Sequence, residues 1–187
     1  MKNPNVYWSL VHHDRWSLHV AASPEGMLFV GSDGQPFDEL SRWVAARCPG
    51  SALIRDDGRL RPYADELVDY LRGVRRVFSV PLDLRGTAFQ QTVWQALAAI
   101  QYGETRTYSD IAGAIGRPAA VRAVGAAIGA NPAMIAVPCH RVIGKNGKLT
   151  GFRGGLEMKE KLLRLERDGE RFGEEERRPM RDVSFAR

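Results

Sequence analysis

The chain has 187 residues, 44% of them hydrophobic and 26% charged, with a formal net charge of +5. That length holds one large domain or two small ones sharing an interface. The composition excludes a chain disordered throughout, and no run of about 18 apolar residues marks a membrane-spanning helix. The basic balance is compatible with nucleic-acid binding through counterion release, and equally with an ordinary solvated surface.

The opening stretch, MKNPNVYWSLVHHDRW, interrupts its apolar residues with His, Asp and Arg. It does not read as a secretory leader, so the expected compartment is the cytoplasm, where Cys48 and Cys139 stay reduced. VYWSLV, WSLHVAA and MLFVG are short β-rich segments that predict an antiparallel meander. FDELSRWVAAR and RPYADELVDYLRG predict two helices, and VFSVPLDL a further strand. Cys48, in RWVAARCPG, reads as a structural thiol. It lacks the spacing to His12, His13 and His19 that a tetrahedral metal site requires, so no metal is expected. Residues 1–80 gather no polar side chains into a site and read as a supporting domain, followed by a linker at 81–86.

The composition changes at LRGTAFQQ. Thr87 with Gln90 fits a capping box, and Phe89, Val93, Leu97 and Ile100 continue with helical period. In TYSDIAGAIGRPAAVRAVGAAIGANP, Ser109 is the expected cap of a short helix and Gly116 its left-handed close. Pro118 is expected to open the next helix. Two short helices joined through glycine outline a helix-turn-helix. In the second, Val121, Val124 and Ile128 form an inward stripe, while Arg122, Gly125, Ala126 and Gly129 share another face. A face of small residues permits close approach either to a flat partner such as DNA or to another helix. VIGKNGKLTGF then predicts a hairpin turning at Asn146–Gly147, the wing of a winged arrangement. The last helix is LEMKEKLLRLERDG, expected to end before Gly169, with 169–187 as a charged tail.

The chemistry concentrates in NPAMIAVPCHRVIG, where an apolar segment runs into Pro-Cys-His-Arg and out again. Thiolate is the reactive form of cysteine, and an imidazole beside it can take the proton directly or through water. A carboxylate is then needed to fix the imidazole's tautomer, and Glu166 on the last helix is a candidate.

The string Ile135-Ala136-Val137-Pro138-Cys139-His140-Arg141-Val142-Ile143-Gly144 resembles the active-site motif of the O6-alkylguanine-DNA alkyltransferases. Tyr108 in TYSDIA, Arg122 in AVRAVGAAIGANP, Gly151 to Gly155 in GFRGG and Lys159 to Glu166 in KEKLLRLE match in the same order, covering residues 86–168. The resemblance implies an α+β fold of two domains. The first is a small antiparallel sheet with helices, ribonuclease H-like in the family. The second, 87–168, is a winged helix-turn-helix carrying the active site. It implies direct-reversal repair in which the alkyl group of O6-alkylguanine moves once to Cys139, leaving open whether O4-alkylthymine is also a substrate. His140 would be the water-mediated base and Glu166 its orienting partner. Asn131 would shape the active-site loop, and Tyr108 would donate to the leaving guanine. Arg122 would enter the duplex behind the extruded nucleotide, with Ala120, Ala123, Gly125 and Ala126 on the minor-groove face. Binding would be largely sequence-independent. Met134, Val142, Phe152, Arg153 and Gly154 would line the pocket. Phe152 departs from the family's tyrosine and Arg153 from a small polar residue. The scheme takes no cofactor and no membrane. It implies a monomer in solution and leaves cooperative assembly on DNA open.

Three other readings compete. A non-catalytic lesion sensor of this fold would replace the acceptor cysteine, commonly with tryptophan. A winged-helix regulator would leave Cys139, His140 and Glu166 without purpose. A cysteine hydrolase would need an oxyanion hole.

Overall fold

The computed structural model describes residues 4–176, with side chains through Gly169. Val6–His13 (β1), Trp16–Ser23 (β2) and Gly26–Val30 (β3) form the expected meander, turning between the first two at Asp14, whose φ is 50°. Asp38–Arg47 (α1) is followed by a fourth strand, Leu53–Arg55 (β4), which the sequence reading lacks. β4 pairs parallel to β1, so the sheet, ordered β3-β2-β1-β4, is mixed and not purely antiparallel. Asp57–Leu71 (α2) starts ahead of its expected boundary because the Asp56 carboxylate caps it, accepting from Arg59 N at 2.9 Å. Pro62 falls inside this helix, near its start.

VFSVPLDL does not form the expected strand. Its donors go to a side chain instead: Ser79 N and Val80 N both donate to the Glu66 carboxylate. An isolated bridge, Met27 with Leu82, ties it to the sheet.

Ala88–Ala98 (α3) begins in the expected Thr87–Gln90 capping box. Arg106–Thr107 (β5) leads into Tyr108–Ala114 (α4) and Val121–Gly129 (α5). The cap of α4 is Thr107 and not Ser109. The Thr107 hydroxyl accepts from Asp110 N and the Asp110 carboxylate accepts from Thr107 N at 2.7 Å, a reciprocal pair that Ser109 cannot make from inside the helix. Gly116 closes the helix at φ 70°, as expected. Pro118 does not open α5; a turn in which Ala120 N donates to Arg117 O intervenes, and Ala120 is the N-cap.

The Asn146–Gly147 turn forms, with Gly144 N donating to Lys148 O at 2.9 Å. The return leg of the hairpin does not become a strand, because the Thr150 and Gly151 carbonyls are taken by the side chains of Lys159 and Tyr108. Val142–Ile143 (β6) pairs in parallel with β5 instead. Gly155–Glu176 (α6) runs through Gly169 and does not stop there. A Cβ at Gly169 would lie 2.8 Å from the Tyr102 hydroxyl, so this glycine serves close approach. Of the expected tail, 177–187 lie outside the described residues.

One hydrophobic cluster runs from Val11, Leu18 and Val20 in the sheet through Leu67, Trp94 and Val124 to Cys139 and Leu162. The two halves of the chain therefore share a core, and the thiol lies at its margin. Among the described residues no helix is long and apolar enough to cross a membrane.

Candidate active site

The loop between α5 and β6 carries the thiol, and Asn131 folds it. Its Oδ1 accepts from Ala133 N at 3.1 Å. Its Nδ2 donates to Val137 O at 2.9 Å and to Cys139 Sγ at 3.0 Å. One fully buried amide thus closes the loop and grips the sulfur. Between these contacts Ile135 sits at φ 73°, a left-handed backbone that a β-branched residue adopts only under strain. Strain of about 1–3 kcal/mol held inside a buried loop fixes where the next residues point.

Cys139–Arg141 form a single 3-10 turn, and all three side chains are buried. Cys139 is 3% exposed, His140 0% and Glu166 1%. His140 Nε2 lies 2.7 Å from Glu166 Oε1. An ionised carboxylate only accepts, so Nε2 carries the proton and Nδ1 is the basic nitrogen. Nδ1 makes no hydrogen bond to any described group. Glu166 also accepts from Arg141 Nε and Nη2, at 3.1 and 2.9 Å, and from Gly103 N at 2.9 Å.

Burial pushes the Cys139 thiol above its ordinary value; the Asn131 hydrogen bond and then the charges of Arg153 and Lys159 oppose this. Burial likewise lowers His140, against the pull of Glu166. Burial alone would raise Glu166, but its hydrogen bonds and charge partners, His140 and Arg141, outweigh that and hold it at about 2.

Sequence reasoning missed three contributors. Tyr70, on α2, donates its buried hydroxyl to Glu166 Oε1 and lies 3.2 Å from His140 Nε2. Residues 1–80 gather no polar cluster of their own, as expected of a supporting domain, but Tyr70 brings one polar side chain from them to Glu166. Nothing in DELVDYLRG distinguishes Tyr70 from a core tyrosine; only its contact does. Arg141, the second basic residue of the PCHR string, is the buried counter-ion. Lys159 is buried with Nζ 2.5 Å from Val142 O and 2.8 Å from Thr150 O, and desolvation lowers it to about 8.

The remaining expected residues divide. Tyr108 lies at the loop: its hydroxyl donates to Thr150 O and Gly151 O, at 3.0 and 3.3 Å. Val142 is buried with its carbonyl turned to Lys159. Phe152 is half-buried against the shared core, and Gly154 is half-buried beside it. Met134 is fully buried in that core. Arg153 donates to Val30 O and Pro132 O and pairs with Glu39. On α5, Val124 and Ile128 are buried and Val121 is half-buried. Arg122, Ala123 and Ala126 are exposed, and Ala120 and Gly125 half-exposed, on a separate face. Cys48 is buried with the Arg85 guanidinium 3.3 Å from its sulfur. Among the described residues no group of three His, Cys, Asp or Glu is arranged to hold a metal ion.

A family profile described as 6-O-methylguanine DNA methyltransferase, DNA binding domain, matches residues 88–168. The inducible methylated-DNA–protein-cysteine methyltransferase of Bacillus subtilis is 57% identical over 164 residues, 88% of this chain and 92% of that protein. A Mycobacterium tuberculosis methylated-DNA–protein-cysteine methyltransferase is 56% identical over 146 residues, 78% of this chain and 88% of that one. The crystal structure of Mycobacterium tuberculosis OGT in complex with DNA superposes with a TM-score of 0.76, at 41% identity over 87% of this chain and 94% of that one.

Proposed function

The chain belongs to the methylated-DNA–protein-cysteine methyltransferase family, and from that premise we propose that it repairs DNA by moving the alkyl group of O6-alkylguanine onto its own Cys139, once per molecule. The observation that carries this reading is the buried thiol held by Asn131 beside an imidazole whose basic nitrogen is Nδ1.

The thiol is the weaker form of the nucleophile, and burial makes its ionisation harder. His140 Nδ1 removes the proton through water, and Glu166 and Tyr70 stabilise the imidazolium that results. The thiolate attacks the alkyl carbon in line. The carbon–sulfur bond forms as the carbon–O6 bond breaks, and the electron pair passes to guanine. Tyr108 donates to the developing charge on the leaving base, exchanging its present acceptors, the Thr150 and Gly151 carbonyls, for the guanine edge. Lys159 donates to the Val142 carbonyl and so fixes the backbone that follows the Cys139–Arg141 turn. The product is a thioether without a leaving group, so the protein is spent.

The partner is double-stranded DNA. The similar Mycobacterium tuberculosis OGT crystallised in complex with DNA, which supports this. So does the α5 face of exposed Arg122, Ala123 and Ala126, small enough to lie close against a minor groove. α4 and α5 act as the helix-turn-helix of an 87–168 domain, the 144–148 turn as its wing, and 1–80 as a domain that also supplies Tyr70. A thiol buried this deeply cannot meet a stacked base, so the nucleotide must be extruded, and Arg122 fills its space. The protein works in a reducing, cytoplasmic compartment as a monomer.

The test is repair itself. A duplex with one O6-methylguanine is incubated with increasing protein and the base content is measured by chromatography. Lesions should disappear one for one with protein and reappear as guanine. Continued loss at substoichiometric protein would replace this reading with a turnover enzyme, and no loss would remove it.

A further inference from the structure

Arg153 stands in the 151–155 loop, ahead of α6, and its guanidinium is committed to the protein's own backbone and to Glu39. Its Nη2 donates to Val30 O at 2.9 Å and to Pro132 O at 3.1 Å, and its Nη1 lies 3.4 Å from Glu39 Oε1. Its guanidinium also lies 5.0 Å from the centre of the Phe29 ring. Glu39 is fixed in turn by Ser32, whose N and hydroxyl both donate to it. Three segments meet at this one fork: the end of β3, the Asn131–Pro132 turn and the glycine-rich loop. Val30 and Pro132 are themselves joined, with Val30 N donating to Pro132 O at 3.0 Å. The loop behind Arg153 has little slack. A Cβ on Gly154 would stand 2.3 Å from the Met158 sulfur and 2.8 Å from the Phe152 ring.

Resting on the reading of Cys139 as alkyl acceptor, we infer that Arg153 is a positioning residue that sets alkyl specificity. It latches the 151–155 loop to β3 and to the Asn131–Pro132 turn, so that the space above Cys139 admits small alkyl groups in preference to bulky ones. A flat, forked cation suits two carbonyls and a carboxylate at once. Asn131, which grips the sulfur, is the neighbour of one latched carbonyl. The latch therefore tightens the loop over the pocket and the turn beneath it together. A bulky group needs the loop to swing out, and the latch must break for that to happen.

The test uses the full chain and two duplexes identical except for O6-methylguanine or O6-benzylguanine, with second-order rate constants for adduct formation on Cys139. The ratio of methyl to benzyl rates is the readout, since simple destabilisation lowers both rates together. In Arg153→Ala the ratio should fall about tenfold, the scale of losing charge-assisted hydrogen bonds. Arg153→Lys should recover part of it, because an ammonium reaches one carbonyl but cannot fork. Glu39→Gln should lower it less than Arg153→Ala does. If Arg153→Ala does not fold, the Lys and Gln variants carry the test. A ratio unchanged from wild type in the folded variants overturns the latch while leaving Cys139 as acceptor intact. Wild type taking an alkyl group from neither duplex overturns the acceptor reading, and the latch with it.

Discussion

The Tyr70 hydroxyl donates to Glu166 Oε1 although 96 residues separate them, one on α2 and the other on α6. The same oxygen of Tyr70 lies 3.2 Å from His140 Nε2. The first half of the chain therefore contributes to the group that sets the imidazole tautomer. That contact brings residues 1–80 to the candidate site as well as to the shared core.

Tyr70→Phe removes one buried hydrogen bond to a charged acceptor and keeps the ring. Unfolding in urea at neutral pH should show a loss of about 1.5–3 kcal/mol. Single-turnover methyl transfer should slow several-fold, because the carboxylate loses a donor that positions it. A stability loss with an unchanged rate would restrict Tyr70 to packing.

Glu166 carries a pH signature. Its carboxyl is held at about 2 in the fold, below its ordinary 4.5. Its contribution is therefore fully present above pH 4.5 and is lost as pH falls toward 2. The size is on the order of 3 kcal/mol. Glu166→Gln should flatten the fall in stability across that window, followed by urea midpoints at successive pH values. At neutral pH the same variant leaves the Arg141 guanidinium buried without its carboxylate and should cost about 3–5 kcal/mol.

Arg122 is exposed on α5, and the contribution proposed for it requires a duplex. Filling the gap left by an extruded nucleotide offsets part of an unstacking cost of a few kcal/mol, so Arg122→Ala should lower the ratio of duplex to free-base alkylation about tenfold. Rates with O6-benzylguanine as a free base and within a duplex measure that ratio. An unchanged ratio would remove Arg122 from extrusion.

What the sequence made legible was local. The Thr87–Gln90 box, the Gly116 close and the Asn146–Gly147 turn are written in neighbouring residues and stand in the structure as expected. Cys139, His140, Asn131 and Glu166 are legible as one group through the family resemblance of their motifs, and the fold pairs Asn131 with Cys139 and His140 with Glu166. What stayed hidden depends on long-range partners. β4 is three residues long and exists through its pairing with β1, and VFSVPLDL fails as a strand because Glu66 takes its donors. Thr107 displaces Ser109 as a cap because Asp110 returns its bond, which places the start of α4 ahead of the expected position. Tyr70 looks like a core tyrosine, and the partners of Arg153 are unreadable, until the fold shows where their polar atoms end.

The most direct test of the central claim is intact-mass spectrometry of wild type and Cys139→Ala after incubation with excess duplex carrying one O6-methylguanine. Wild type should gain one methyl group and no more, mapped by peptide digestion to Cys139, while Cys139→Ala, folded and still binding the duplex, gains none. A methyl group on another residue, or an unmodified wild type that holds the damaged duplex, would contradict the assignment of Cys139 as the acceptor.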